Sequence, residues 1–129
     1  MDERARKLLE GKNFATVSMS RRDGSVFSVY VWIGVEGERI TLNSSQGRVW
    51  PKILARDPRV TILVADLADQ YTYAQWRGQV VETVFEGAQD HIEELSHKYT
   101  GHEYTGGHPG EVRIKYYVEA ELITYHSQG

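Results

Sequence analysis

The sequence predicts an all-β to α+β fold: a small antiparallel β-barrel of about six short strands with about three short peripheral helices. Three observations point there. Apolar and polar residues alternate along much of the chain, turn-forming residues punctuate that alternation, and only short stretches switch to helical spacing. Closing such a sheet removes the exposed edges that a small open sheet must otherwise protect. The 129 residues suit a single domain, 1–129, with one sizeable core.

Each element has its own signal. Asp2 is placed to cap a helix whose apolar residues are Ala5, Leu8 and Leu9, and Gly11 is placed to end it. From Phe14 the period becomes two: Ala15, Val17 and Met19 alternate with Thr16, Ser18 and Ser20. Arg22-Asp23-Gly24 supplies a turn before Val26–Ile33, and Glu36-Gly37-Glu38 a second before Arg39–Asn43, which predicts an antiparallel meander. Arg48–Arg56 reads as a short helix starting near Val49 or Trp50, because Pro51 is tolerated only in a first turn. Val60–Val64 is a compact strand, Ala65–Gln70 a polar loop, and Tyr71–Phe85 a long strand with Gly78 as a bulge or bend. Ala88, Ile92, Leu95 and Tyr99 recur at helical spacing, with acids early and His97 and Lys98 late. The Gly-rich loop 101–110 precedes final strands around Val112–Val118 and Ala120–Tyr125.

Composition excludes several classes of function. The absence of cysteine rules out a disulfide framework, zinc fingers and thiolate-bound clusters. A net charge of −3 argues against nucleic-acid binding. No stretch approaches the ~20 apolar residues of a membrane span, and Met1–Lys7 lacks the apolar region of a signal peptide, so a cytoplasmic protein is expected. His91, His97, His102, His108 and His126 have no ligand-like spacing, so no metal site is expected. P-loop, Gly-x-Gly-x-x-Gly and Gly-x-Ser-x-Gly patterns are missing.

The middle of the chain departs from the acidic whole. Asn43–Val60 holds Arg48, Lys52, Arg56 and Arg59 against Asp57, a net +3. Arg48, Lys52 and Arg56 share one helix face, preceded by Ser44, Ser45 and Gly47 at a strand-to-helix junction. Hydroxyls, free N–H groups at a helix start and nearby cations suit a phosphate; a solvated basic face with ordinary capping is the plainer reading. Tyr71, Tyr73, Gln75 and Arg77 share one strand face, suited either to packing or to stacking on a planar heterocycle.

Several stretches, in order, resemble the pyridoxamine 5'-phosphate oxidase-like FMN-binding split-barrel superfamily, and most closely its deazaflavin (coenzyme F-420)-dependent branch. They are Asn13–Val17, Arg22–Ser25, Val31-Trp32, Gly47-Arg48, Ala55–Val60, Tyr71–Tyr73 leading to Arg77-Gly78, His91–Leu95, Lys98–Gly101 and Pro109–Arg113. The resemblance implies a six-stranded antiparallel split β-barrel and a homodimer with cofactor sites at the subunit interface. It assigns the cofactor phosphate to Asn43, Ser44, Ser45, Gly47, Arg48 and Lys52. The strand Val29, Tyr30, Val31 and Trp32 would line the ring, with Tyr71 or Tyr73 reaching it from a neighbouring strand or the other subunit. Two departures stand out. Where relatives commonly carry lysine, this chain has Trp50, so either Lys52 supplies the charge or Trp50 stacks on the ligand. Val29-Tyr30 replaces a common Thr-Pro, and Tyr30 would narrow the ring pocket. The implied activity is hydride transfer between coenzyme F-420 and an activated small organic substrate. An FMN-dependent oxidase or flavin reductase and a non-enzymatic cofactor-binding module are the alternatives.

Overall fold

The computed structural model describes residues 1–127. Its elements are α1 (Glu3–Glu10), β1 (Ala15–Ser20), β2 (Val26–Val31), β3 (Gly34–Glu36), β4 (Arg39–Ser45), α2 (Val49–Arg56), β5 (Arg59–Asp66), β6 (Asp69–Val84), α3 (Ala88–Thr100) and β7 (Arg113–His126). All seven strands form one antiparallel sheet in the order β2-β1-β5-β6-β7-β4-β3. The helices match the sequence expectation in number and place. The expected six strands are seven, and the sheet does not close, since β2 and β3 have one ladder partner each.

The expected meander is also corrected. β1 and β2 pair at one edge of the sheet, while β3 and β4 pair at the other. The chain leaves its first hairpin at Trp32-Ile33, and side chains of α3 take over the backbone partners there. The Ile33 N–H donates to Tyr99 Oη at 3.1 Å, and the Ile33 carbonyl accepts from Lys98 Nζ at 2.7 Å. With its polar groups satisfied off the ladder, Ile33 can end the strand while its side chain stays fully buried.

The expected Ala65–Gln70 loop is a tight reversal, because β5 runs to Asp66 and β6 begins at Asp69. The two strands expected at the C-terminus are one. β7 continues through Glu119-Ala120-Glu121, where its pairing with β6 shifts register between Arg77 and Gly78. A Cβ on Gly78 would lie 2.1 Å from the Glu119 carbonyl oxygen, so only glycine allows the two backbones this close. The sequence signal for a bulge at Gly78 was thus sound, and the same bulge bends β7 without breaking it.

Alternation sorts the strands into two faces. Val17, Ile62, Ala74 and Trp76 point inward and meet Ile40, Leu42, Tyr116 and Val118, with α1 and α2 adding Leu8, Leu9, Ile53 and Leu54. On the outer face the cross-strand row Tyr30, Thr16, Leu63, Gln75, Thr124 carries no helix. No helix among the described residues is long and apolar enough to cross a membrane.

Candidate functional site

A cavity of about 260 Å³ opens between the β2 end, β4 and α3. Phe14, Tyr30, Val31, Trp32 and Tyr104 give it an aromatic lining, Ile92 and Leu95 of α3 form its apolar floor, and Asn43, Arg48 and Arg113 bring polarity. The rings form a connected stack. Tyr30 lies on Phe14 at 5.3 Å between centroids, Phe14 meets Tyr99 at 5.4 Å, Tyr99 is nearly parallel to Trp32 at 5.3 Å, and Trp32 meets the edge of Tyr104. Such rings hold their faces at fixed spacing and present a flat apolar wall.

The wall is fixed from behind by consecutive residues at the end of α3. Tyr99 Oη donates to the Asn13 carbonyl at 2.5 Å, and Lys98 Nζ donates to the carbonyls of Leu9 and Ile33 at 2.6 and 2.7 Å. Burial pushes the Tyr99 phenol up to about 12 and the Lys98 ammonium down to about 8. Phe14 and Trp32, which flank those carbonyls, are thereby tied to one helical turn.

A buried chain of hydrogen bonds runs along the polar side. Arg113 donates to Asn43 Oδ1 through Nε at 2.9 Å and Nη2 at 2.6 Å. Asn43 Nδ2 donates to the Ala88 carbonyl at 2.9 Å and lies 3.0 Å from His91 Nδ1, whose Nε2 lies 3.1 Å from Thr41 Oγ1. Because the amide can only donate to Nδ1, the ring is neutral with its proton on Nε2. Burial, with Lys115 and Arg113 nearby, pushes His91 down to about 4. The charge of Arg113 is balanced by Glu111 Oε1, 3.2 Å from Nη1, and its guanidinium sits over the Tyr104 ring.

At the cavity rim, Gly47 adopts φ +98°, which turns the chain so that the Arg48 N–H reaches the Ser45 carbonyl at 3.2 Å. Arg48 is the N-cap of α2 and supplies no side-chain cap, so the first-turn N–H groups of Val49 and Trp50 have no side-chain acceptor, while Pro51 has no N–H to satisfy. The Arg48 side chain is exposed and makes no hydrogen bond or ion pair among the described residues. A separate shallow groove of about 460 Å³ runs along α2, lined by Val49, Lys52, Ile53 and Arg56 together with Arg21, Arg22 and Asp23.

The structure therefore gathers Tyr30, Val31, Trp32, Asn43 and Arg48 around one cavity and separates the other expected site residues from it. Trp50 is buried and packs on Tyr116 at 5.8 Å, so it offers no face to a ligand. Ser44 is fully buried on the core side of β4, its Oγ without a partner among the described residues, and Ser45 is buried beside it. Val29 packs toward the core. Lys52 lines the basic groove rather than the cavity, and Gly47 acts through its backbone turn. Tyr71 and Tyr73 lie at the β5–β6 reversal, where Tyr73 stacks on His126, and do not reach this cavity within one chain. Five lining residues, Phe14, Ile92, Leu95, Tyr104 and Arg113, were missed. Phe14, Ile92 and Leu95 read simply as strand and helix packing, and Tyr104 and Arg113 sit in or beside a Gly-rich loop with no spacing signal. Among the described residues no group of histidines and acids is arranged to hold a metal.

These residues fit a planar ring carrying an acidic group: a flat aromatic wall and an exposed arginine at the N-cap of α2 line one cavity. No protein-family model matches the sequence, and no curated protein matches it. Solved structures do share the fold. An F-420 reductase superposes with a TM-score of 0.83 at 21% identity over 92% of this chain and 94% of that one. An FAD-binding protein of Mesorhizobium loti gives 0.74 at 14% identity over 100% and 96%. A Listeria innocua structure named for pyridoxamine 5'-phosphate oxidase gives 0.71 at 15% identity over 92% of each chain. The chain shares its fold with these structures.

Proposed function

We propose that this split-barrel chain is a deazaflavin-dependent oxidoreductase, binding coenzyme F-420 and passing a hydride to an activated small organic substrate. One observation carries the reading. The aromatic cavity and the basic groove both border the start of α2, with Arg48 lining the former and Val49, Lys52 and Arg56 the latter. A ring against Trp32 and Tyr30, a phosphate at Arg48 and the α2 N-terminus, and an acidic tail along Lys52, Arg56, Arg21 and Arg22 would use both. FMN, with a single phosphate, leaves the groove without a role.

When bound and reduced, the coenzyme supplies the hydride. The chain's own part is to hold the ring, exclude water from one face and place cations on its acidic groups. The absence of a nucleophile–base pair at the cavity agrees with such a division of labour. At about 260 Å³ the cavity is below the ~300–1,000 Å³ of typical small-molecule sites. A second copy of the chain completes it on this reading, docked on the helix-free outer sheet face. Tyr30, at the cavity mouth, is 69% exposed, and Leu63, Tyr73 and Leu122 extend the same face.

The test is a fluorescence titration with coenzyme F-420. Micromolar binding that weakens at least about tenfold in Arg48→Ala, and severalfold in Arg56→Ala, supports the reading. Tight FMN binding that ignores Arg56→Ala, in a protein that does not bind the deazaflavin, would transfer the chain to FMN chemistry.

A further inference from the structure

Arg113 has more to it than a core ion pair. Its side chain is only 4% exposed, yet it lines the aromatic cavity. Guanidinium carries five N–H donors in a rigid fork. Nε and one Nη2 proton go to Asn43 Oδ1, and Nη1 faces Glu111 Oε1 at 3.2 Å and Tyr104 Oη at 3.4 Å. The second Nη2 proton has no acceptor among the described residues. An arginine this deeply buried, held by a chain of donors that runs through Asn43 and His91 to Thr41, cannot turn away to find one.

The counter-charge is placed asymmetrically. Glu111 lines a neighbouring cavity of about 380 Å³ on the far side of Tyr104 and is absent from the lining of the aromatic one. A ring seated against Trp32 and Tyr104 therefore meets the cationic end of the Arg113–Glu111 pair. Its carboxylate end stays behind.

We propose that Arg113 recognises the electron-rich, oxygen-bearing edge of the planar ligand, and so makes the site hold the reduced, anionic ring more tightly than the oxidised one. This rests on the cavity being the ring site. The ligand class it selects is a heteroaromatic ring that gains negative charge on taking up two electrons and a proton. A buried positive group held in place favours whichever state carries more negative charge, and here it needs no rearrangement to do so. Arg48, exposed at the rim, serves the phosphate and is indifferent to the redox state of the ring.

The experiment measures anaerobic dissociation constants of oxidised and dithionite-reduced coenzyme F-420 and FMN, for wild type, Arg113→Met and Glu111→Gln. Circular dichroism verifies folding. Arg113→Met should cut the ratio of reduced to oxidised affinity by about tenfold, equivalent to about 30 mV for a two-electron couple. Glu111→Gln, which strips the counter-charge without changing shape, should move the ratio the opposite way. An Arg113 that only supports the loop would weaken both forms equally and leave both ratios unchanged, which overturns the proposal. If Arg113→Met does not fold, the direction of the Glu111→Gln shift decides alone. A wild-type chain that binds neither ligand in either state overturns the functional reading, and this inference with it; binding with unchanged ratios overturns this inference alone.

Discussion

At the scale of residues, two arginines that both line one cavity have opposite circumstances. Arg48 is exposed and unpaired among the described residues, so its removal should cost the fold little and, on the proposed function, cost the ligand its charge-assisted bonds, a loss of about 1.5–3 kcal/mol in binding. Arg48→Ala should accordingly lower affinity with an unchanged melting temperature. His91 gives a separate, pH-dependent prediction. Folded, it stays neutral down to about pH 4, whereas unfolded it takes a proton near 6.5. Between those values the unfolded chain binds more protons, so stability is full above about 6.5 and declines as pH falls toward 4. The change is on the order of 3 kcal/mol. Glu36 opposes that depression, while Lys115 and Arg113 reinforce burial. Urea unfolding at pH 7 and at pH 4.5 should show this slope in the wild type and a flatter one in His91→Gln. At this scale the sequence was a partial guide. The charge reversal at Arg48 was visible in it because cations cluster locally. Trp50 and Ser44 were misplaced because which face of a helix or strand meets the core depends on partners distant in sequence.

At the scale of elements, the decisive feature is the crossing from β2 to β3. Period-two patterning identified β2 and β4 but neither the short β3 nor the separation of the two hairpins to opposite edges, because the backbone groups of Ile33 are satisfied by Lys98 and Tyr99, over sixty residues later. Helical spacing had marked Tyr99 as a core residue and nothing more. Tyr99→Phe keeps the ring against Trp32 and removes the hydroxyl, leaving the Ile33 N–H and Asn13 carbonyl unpaired. The expected cost is about 1–3 kcal/mol, measured by chemical denaturation, together with weaker ring binding as Phe14 and Trp32 loosen. The β6–β7 bulge was legible from a single residue. Gly78→Ala should be strongly destabilising, since even a methyl group meets the Glu119 carbonyl.

At the scale of the whole molecule, an open seven-stranded sheet leaves two edges and a bare outer face. The sequence suggested a closed barrel of about six strands because local alternation marks where strands run but not whether the first meets the last. That face, with Tyr30, Leu63, Tyr73 and Leu122 exposed on it, is where a second copy would finish the cavity. Sedimentation should give twice the chain mass at micromolar concentration, and Leu63→Glu should release monomers that bind ligand poorly. The account's central claim is that a phosphate-bearing deazaflavin occupies the aromatic cavity with its acidic tail in the basic groove. Parallel titrations of coenzyme F-420 and FMN into wild type, Arg48→Ala and Arg56→Ala test it most directly. Micromolar F-420 binding, impaired about tenfold by the first change and severalfold by the second, is the predicted result. No binding of F-420 by the wild-type chain, or binding indifferent to both arginines, would contradict it.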